Sequence, residues 1–286
     1  MKSIINYAFI ILLGFMAGAC GKPASDESTT DAQEESLVNE SDLGGVQGEE
    51  IEYEADGIKM KGYLTYDTSV KGKRPGILVV HEWWGHNDYT RKRAEMLAEM
   101  GYTAIAVDMY GDGKNAEHPE DAGSFAGAVM SNMEGAKARF NAAMDILKNH
   151  ESVDPGKIGA IGYCFGGGVI LNMARMGVDM KGVASFHGSL GTNNPAKPGD
   201  IKAAVLVCHG ADDNFVTEET LQNFKDEMTN AEVDFTFKSY EGAVHSFTNP
   251  DADSFAEKFG LNVKYDEKAD TESWEEMRKF FERVFK

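Results

Sequence analysis

A cysteine set between glycines, Gly162-Tyr163-Cys164-Phe165-Gly166, stands directly after the apolar run KIGAIG and directly before a helix-forming segment. The pattern is G-x-S-x-G with sulfur in place of oxygen, the strand-to-helix turn that lifts a nucleophile clear of a sheet. Glycines belong on either side because the turn is strained and side chains there would collide with the adjoining strand and helix. A thiol at a helix N-terminus also meets partial positive charge, which favours the thiolate. Such a nucleophile needs a base, and the base needs a group that orients it. After the run AAVLVC come the adjacent acids Asp212 and Asp213, and after DFTFKS comes Tyr240-Glu241-Gly242-Ala243-Val244-His245. The order nucleophile, acid, histidine is that of α/β-hydrolases and differs from the orders in chymotrypsin and subtilisin. Cys164, Asp213 and His245 are therefore the expected triad, with Asp213 preferred to Asp212.

A fourth segment, His81-Glu82-Trp83-Trp84-Gly85, follows the run GILVV. In α/β-hydrolases this early loop gives one oxyanion-hole N–H and the residue after the nucleophile gives the other. The backbone amides of Trp83 and Phe165 are the candidates here. HEWWGH is not the H-E-x-x-H of a metalloprotease, because His81 and His86 lie five apart and on a loop. No metal site, nucleotide fingerprint or other cofactor is expected.

To hold these residues at one edge, the chain must alternate strands and helices. Ile51–Glu54 and Met60–Tyr66 read as a hairpin, and Gly76–His81, Thr103–Val107, Lys157–Ile161, Gly182–Phe186, Ala203–Cys208 and Asp234–Ser239 as further strands. Tyr89–Met100, Glu134–Asn149, Val169–Met176, Glu218–Thr229 and Thr271–Phe285 read as helices. The alternation predicts one α/β domain over 51–286, a mostly parallel central sheet with helices on both faces, and the order nucleophile, acid, histidine makes the expected architecture the α/β-hydrolase fold. Chemistry in such sheets gathers at the carboxyl ends of strands, where the four segments lie.

Composition agrees. The 286 residues are 42% hydrophobic and carry a net charge of −19, which excludes nucleic-acid binding by a basic surface. Three cysteines exclude a disulfide scaffold, and Cys208, on an apolar strand, reads as buried.

The segments HEWWG, TAIAVDMYG, GYCFGGG, GADDNFV and YEGAVHSF together resemble the dienelactone hydrolase family over the whole folded body. The resemblance assigns the triad to Cys164, Asp213 and His245 and places the family's early-loop carboxylate, a contact of the resting thiol displaced by substrate, on Glu82. It implies hydrolysis of a small carboxylic ester or lactone through a thioester acyl-enzyme, without a cofactor. The family's substrate-binding arginines are missing, since Tyr110-Gly111-Asp112-Gly113-Lys114 and Thr248-Asn249-Pro250 stand where they would be. Lys114 or Arg91 could replace them, and Trp84, Tyr110, His187 and Asn249 complete the expected pocket. A non-catalytic ligand-binding lipoprotein and a thiol acyltransferase are the alternatives.

At the N-terminus, Met1-Lys2, the apolar run Ala8 to Met16 and Ala17-Gly18-Ala19-Cys20 form a secretory signal whose end resembles a bacterial lipobox. Residues 21–50 hold nine acidic residues, one Lys and no aromatics, as a disordered tether would. The expectation is an exported monomer, held on an envelope membrane through lipidated Cys20 and facing the periplasm or the cell surface.

Overall fold

The computed structural model describes residues 45–286. The expected signal, Cys20 and the linker up to residue 44 lie outside the described residues.

The hairpin forms where Asp56 and Gly57 both adopt left-handed backbone conformations, at φ 54° and 69°, the geometry a two-residue turn requires. Its strands, β1 (Val46–Ala55) and β2 (Ile58–Asp67), pair antiparallel along their whole length. Val46 to Glu50 therefore belong to the sheet and not to the linker. Their exposure hid this, because backbone pairing to β2 orders them without burial.

Six more strands follow: β3 (Arg74–Val80), β4 (Thr103–Val107), β5 (Val153–Tyr163), β6 (Gly182–Phe186), β7 (Ala204–Gly210) and β8 (Phe235–Tyr240). The sheet order is β1-β2-β4-β3-β5-β6-β7-β8, with β2 antiparallel to both neighbours and the rest parallel. Alternate residues of a strand face opposite sides, so β3 feeds two cores. Ile77 and Val79 pack with Ala94 and Leu97 of α1 (Asp88–Glu99) and Phe281 of α7 (Glu267–Val284). Leu78 and Val80 join the other core, built from α2 (Pro119–Met130), α3 (Met133–Asn149), α4 (Phe165–Arg175) and α5 (Glu218–Asn230).

Two helices were not expected from periodicity, α2 and α6 (Ala252–Phe259). Each buries little: Ala122 and Val129 on α2, Ala252 on α6. With so narrow an apolar stripe the 3.6-residue signal is weak. Their punctuation is clearer, with Pro119 in the first turn of α2 and Gly260 capping α6 at φ 68°.

Phe281 is fully buried, stacked on Phe285 with ring centroids 5.2 Å apart and pressed against the bare Cα of Gly159. Phe281→Ala is expected to lose about 3–5 kcal/mol of stability in urea unfolding, whereas Val46→Ala on the exposed edge should change it by less than about 0.5 kcal/mol.

Candidate active site

Cys164 sits between β5 and α4 at φ 52°, ψ −114°, a conformation L-residues adopt at a cost of about 1–3 kcal/mol. The surroundings enforce it. A Cβ on Gly162 would lie 2.3 Å from the Gly166 carbonyl oxygen, and one on Gly166 would lie 2.3 Å from that of Val80. The flanking glycines are thus required by backbone-to-backbone contact. Below the turn, the Cys164 N–H is shared between the Phe186 carbonyl at 3.0 Å and Nδ1 of His187 at 3.1 Å.

β7 ends at Gly210, and the following loop turns the exposed Asp212 outward and the buried Asp213 inward. Asp213 accepts the Phe215 N–H at 2.9 Å through Oδ1, and its Oδ2 lies 2.8 Å from Nδ1 of His245. His245 comes from the loop after β8, which is secured on its far side by the Lys264 N–H donating to the His245 carbonyl at 3.2 Å. With Nδ1 committed to Asp213, Nε2 is the ring nitrogen left for the Cys164 sulfur, and His245 and Cys164 line one cavity. Burial opposes the charged ring, yet the Cys164 thiolate and then Asp213 outweigh it, and the His245 pKa is raised to about 10.

Two backbone amides beside Cys164 and on the early loop are left without a partner. Among the described residues, neither the Trp83 nor the Phe165 N–H donates to a protein acceptor. Uncommitted donors from the early loop and the start of α4 can receive an oxyanion.

Glu82 is buried, and its carboxylate is engaged by Ser246 Oγ at 3.0 Å and Asn249 Nδ2 at 2.6 Å. Burial raises its pKa, against the lowering effect of those donors. The contact with the thiol implied by the family resemblance is not made, because Asn249 and Ser246 hold the carboxyl on the His245 loop.

The cavity beside the sulfur has a volume of about 90 Å³. Trp83, Trp84, Phe215 and Phe255 form its aromatic walls, Leu261 and Val263 add aliphatic surface, and Ser246 borders it. Of the expected pocket residues only Trp84 lines it, stacked on Phe255 of α6 with centroids 4.4 Å apart. Tyr110 lies behind the wall, buried against Phe165 and donating to the Trp83 carbonyl at 2.9 Å. Asn249 serves Glu82. His187 is fully buried beneath the turn, bonded to Cys164 N–H and, through Nε2, to Thr248 Oγ1 at 2.7 Å. Arg91 lies on the hairpin side, paired with Glu50 and stacked over the Tyr63 ring, and Lys114 is exposed outside the cavity. Neither replaces the missing arginines. Phe255, Leu261 and Val263 escaped the sequence reading because they approach through the long β8–α7 connection, although the amphipathic DSFAEKFG before Gly260 was a usable signal.

Cys208 is buried and accepts from the Tyr240 hydroxyl at 3.6 Å, with burial pushing its thiol up to about 12. It has no access to the cavity. Among the described residues no group of His, Cys, Asp or Glu is placed to hold a metal ion, and no helix is long and apolar enough to cross a membrane.

The electrostatics are testable by NMR of the histidine rings. His245 should remain an imidazolium from pH 7 to 9 and titrate near pH 10; in Cys164→Ala, without the anion that raises it, the titration should move to lower pH. An unchanged titration would show the sulfur does not act on the ring.

The chain was compared with known proteins. The sequence pattern of the dienelactone hydrolase family matches residues 60–285. Protein usf of Aquifex pyrophilus is 29% identical over 206 residues, spanning 71% of this chain and 87% of that protein. Among solved structures, a dienelactone hydrolase-like promiscuous phosphotriesterase from metagenomic libraries matches at TM-score 0.79 and 35% identity, covering 85% of this chain and 100% of that one. A dienelactone hydrolase from Anabaena variabilis shares the fold at TM-score 0.55 and 19% identity, over 75% of this chain and 95% of that one. Matched along nearly all of its described length, the chain belongs to the dienelactone hydrolase family and is a hydrolase acting on ester or lactone bonds.

Proposed function

We propose that Cys164 attacks the carbonyl carbon of a small carboxylic ester or lactone, with His245 as acid and base and Asp213 as its orienting group. The observation that carries this reading is the imidazole of His245, bonded to a buried carboxylate at 2.8 Å and lining one cavity with a half-buried sulfur in a strained turn. The thiolate adds to the carbonyl, and the oxyanion settles on the amides of Trp83 and Phe165, each such donor contributing about 3–4 kcal/mol to the transition state. Collapse breaks the C–O bond, and the departing alkoxide takes the proton of the His245 imidazolium. The resulting neutral imidazole then removes a proton from water, whose oxygen attacks the thioester. A second collapse expels the Cys164 thiolate, restores the ion pair and releases the carboxylic acid. Asp213 keeps Nδ1 protonated, so that Nε2 faces the reaction throughout.

Ser246 and Asn249 hold Glu82 in this scheme, and Glu82 in turn fixes the loop that carries His245. The N-terminal sequence supports export and acylation of Cys20, which would tether the catalytic body to an envelope membrane by a leader rich in acidic residues.

On p-nitrophenyl esters, Cys164→Ala is expected to lose at least about 10⁴-fold in kcat/KM, and Asp213→Asn about 10²–10⁴-fold in kcat with a smaller change in KM. Rapid-quench mass spectrometry of the wild type should find one acyl group on Cys164, and turnover without that adduct would remove the thioester. For the anchor, mass spectrometry of the mature N-terminus should find acylated Cys20, and Cys20→Ala should release activity from membranes. An unmodified terminus elsewhere would remove the anchor alone.

A further inference from the structure

Where a charged substrate group would lie, the cavity offers nothing to pair with it. Its wall carries no Lys or Arg among the described residues. The buried arginine near the site, Arg93, is already committed. It donates to the Thr248 carbonyl and to Asp270, and its guanidinium lies within 5.5 Å of the ring centroids of Tyr89, Tyr163 and Trp274. The charges inside the cavity belong to Cys164 and His245, which neutralise each other, and the carboxyls bonded behind them, Asp213 on His245 and Glu82 on Ser246, are acids. An anion brought in would be desolvated against aromatic walls and would face a thiolate.

The mouth has the same character. Phe215, the most exposed large hydrophobic side chain among the described residues at 54%, has its ring centroid 4.8 Å from that of His245. His245 protonates the departing alcohol, so Phe215 borders the leaving group, which leaves the rest of the lining, with the stacked pair Trp84 and Phe255, to the acyl part.

Taking the catalytic reading above as its basis, we infer that this site selects uncharged esters with apolar acyl groups, and rejects substrates that carry a carboxylate on the acyl part. Selection arises from desolvation. A neutral acyl group exchanges water for Trp84, Phe255 and Leu261, whereas a carboxylate of the same shape loses its hydration with no donor to replace it. Phe215 adds affinity for aryl or longer alkyl alcohols without touching the acyl side.

The test uses two esters of equal shape, p-nitrophenyl 4-methylpentanoate and mono-p-nitrophenyl succinate, whose acyl ends differ as isopropyl and carboxylate. The wild type should favour the neutral ester by at least about 100-fold in kcat/KM. Equal rates, or preference for the succinate, would overturn the inference while leaving the cysteine mechanism intact. Binding to Cys164→Ala, followed by quenching of Trp83 and Trp84 fluorescence, reads the same selection without chemistry. If neither ester is hydrolysed by the wild type, the catalytic reading fails, and this binding preference alone upholds or overturns the charge selection. Leu261→Arg, which places a cation in the wall, should narrow the preference about 10-fold or more; an unchanged ratio in a variant that still hydrolyses the neutral ester would count against desolvation as its origin.

Discussion

The constraint on which the molecule turns is the backbone at Cys164. A non-glycine residue is kept at positive φ because strand β5 must end, reverse and become helix α4 within a single residue, over neighbours that leave no room for a Cβ at positions 162 and 166. No side-chain interaction could hold such a turn alone. It is held because β5 lies in the middle of a sheet buried on both faces, between β3 and β6, and because α4 is anchored in the core by Val169, Ile170 and Met173. The strain is small beside that burial. What it yields is a sulfur at the helix start, aimed at a cavity instead of at the core.

The remaining parts of the site are loops held against that fixed point. Asp213 and His245 come from the ends of β7 and β8, strands whose register with β6 sets how far each loop reaches. The strap from Leu261 to Asp266 then runs beside the His245 loop, with Asp266 N–H donating to the Phe247 carbonyl at 3.0 Å. Glu82 completes the arrangement by reaching from β3 across to Ser246 and Asn249. A carboxyl, an amide and a hydroxyl therefore join the first loop of the site to the last, over more than 160 residues of chain.

The triad was legible because each member sits at a strand end inside a short signature, and the buried strands are continuous apolar runs that cannot be mistaken for loops. The amides of Trp83 and Phe165, which find no protein acceptor, were named from the same pattern. What could not be read was the pocket. Arg91 and Lys114 carry the right charge, but the sequence does not say that Arg91 has Glu50 and Tyr63 beside it on the hairpin. His187 ends a strand as the catalytic residues do, yet β6 delivers it beneath the turn at φ 39°. Walls made by Phe255, Leu261 and Val263 depend on where a long connection lies down, which no periodicity encodes. β1 was shortened for the opposite reason, since the side chains of its first half, Val46 to Glu50, are exposed and leave no apolar pattern.

His187 carries one more consequence. Its Nδ1 accepts from the Cys164 amide, so Nε2 bears the only ring proton and hands it to Thr248. That imidazole works only while uncharged, and burial keeps its pKa well below the ordinary value of 6.5. Burial likewise depresses His81, and His86 to about 4. An unfolded chain would gain protons at these rings that the folded chain refuses, so these three rings withdraw stability as the pH falls below 6.5. The chain's response to acid is thus set in part beneath Cys164, in a ring that lies outside the cavity.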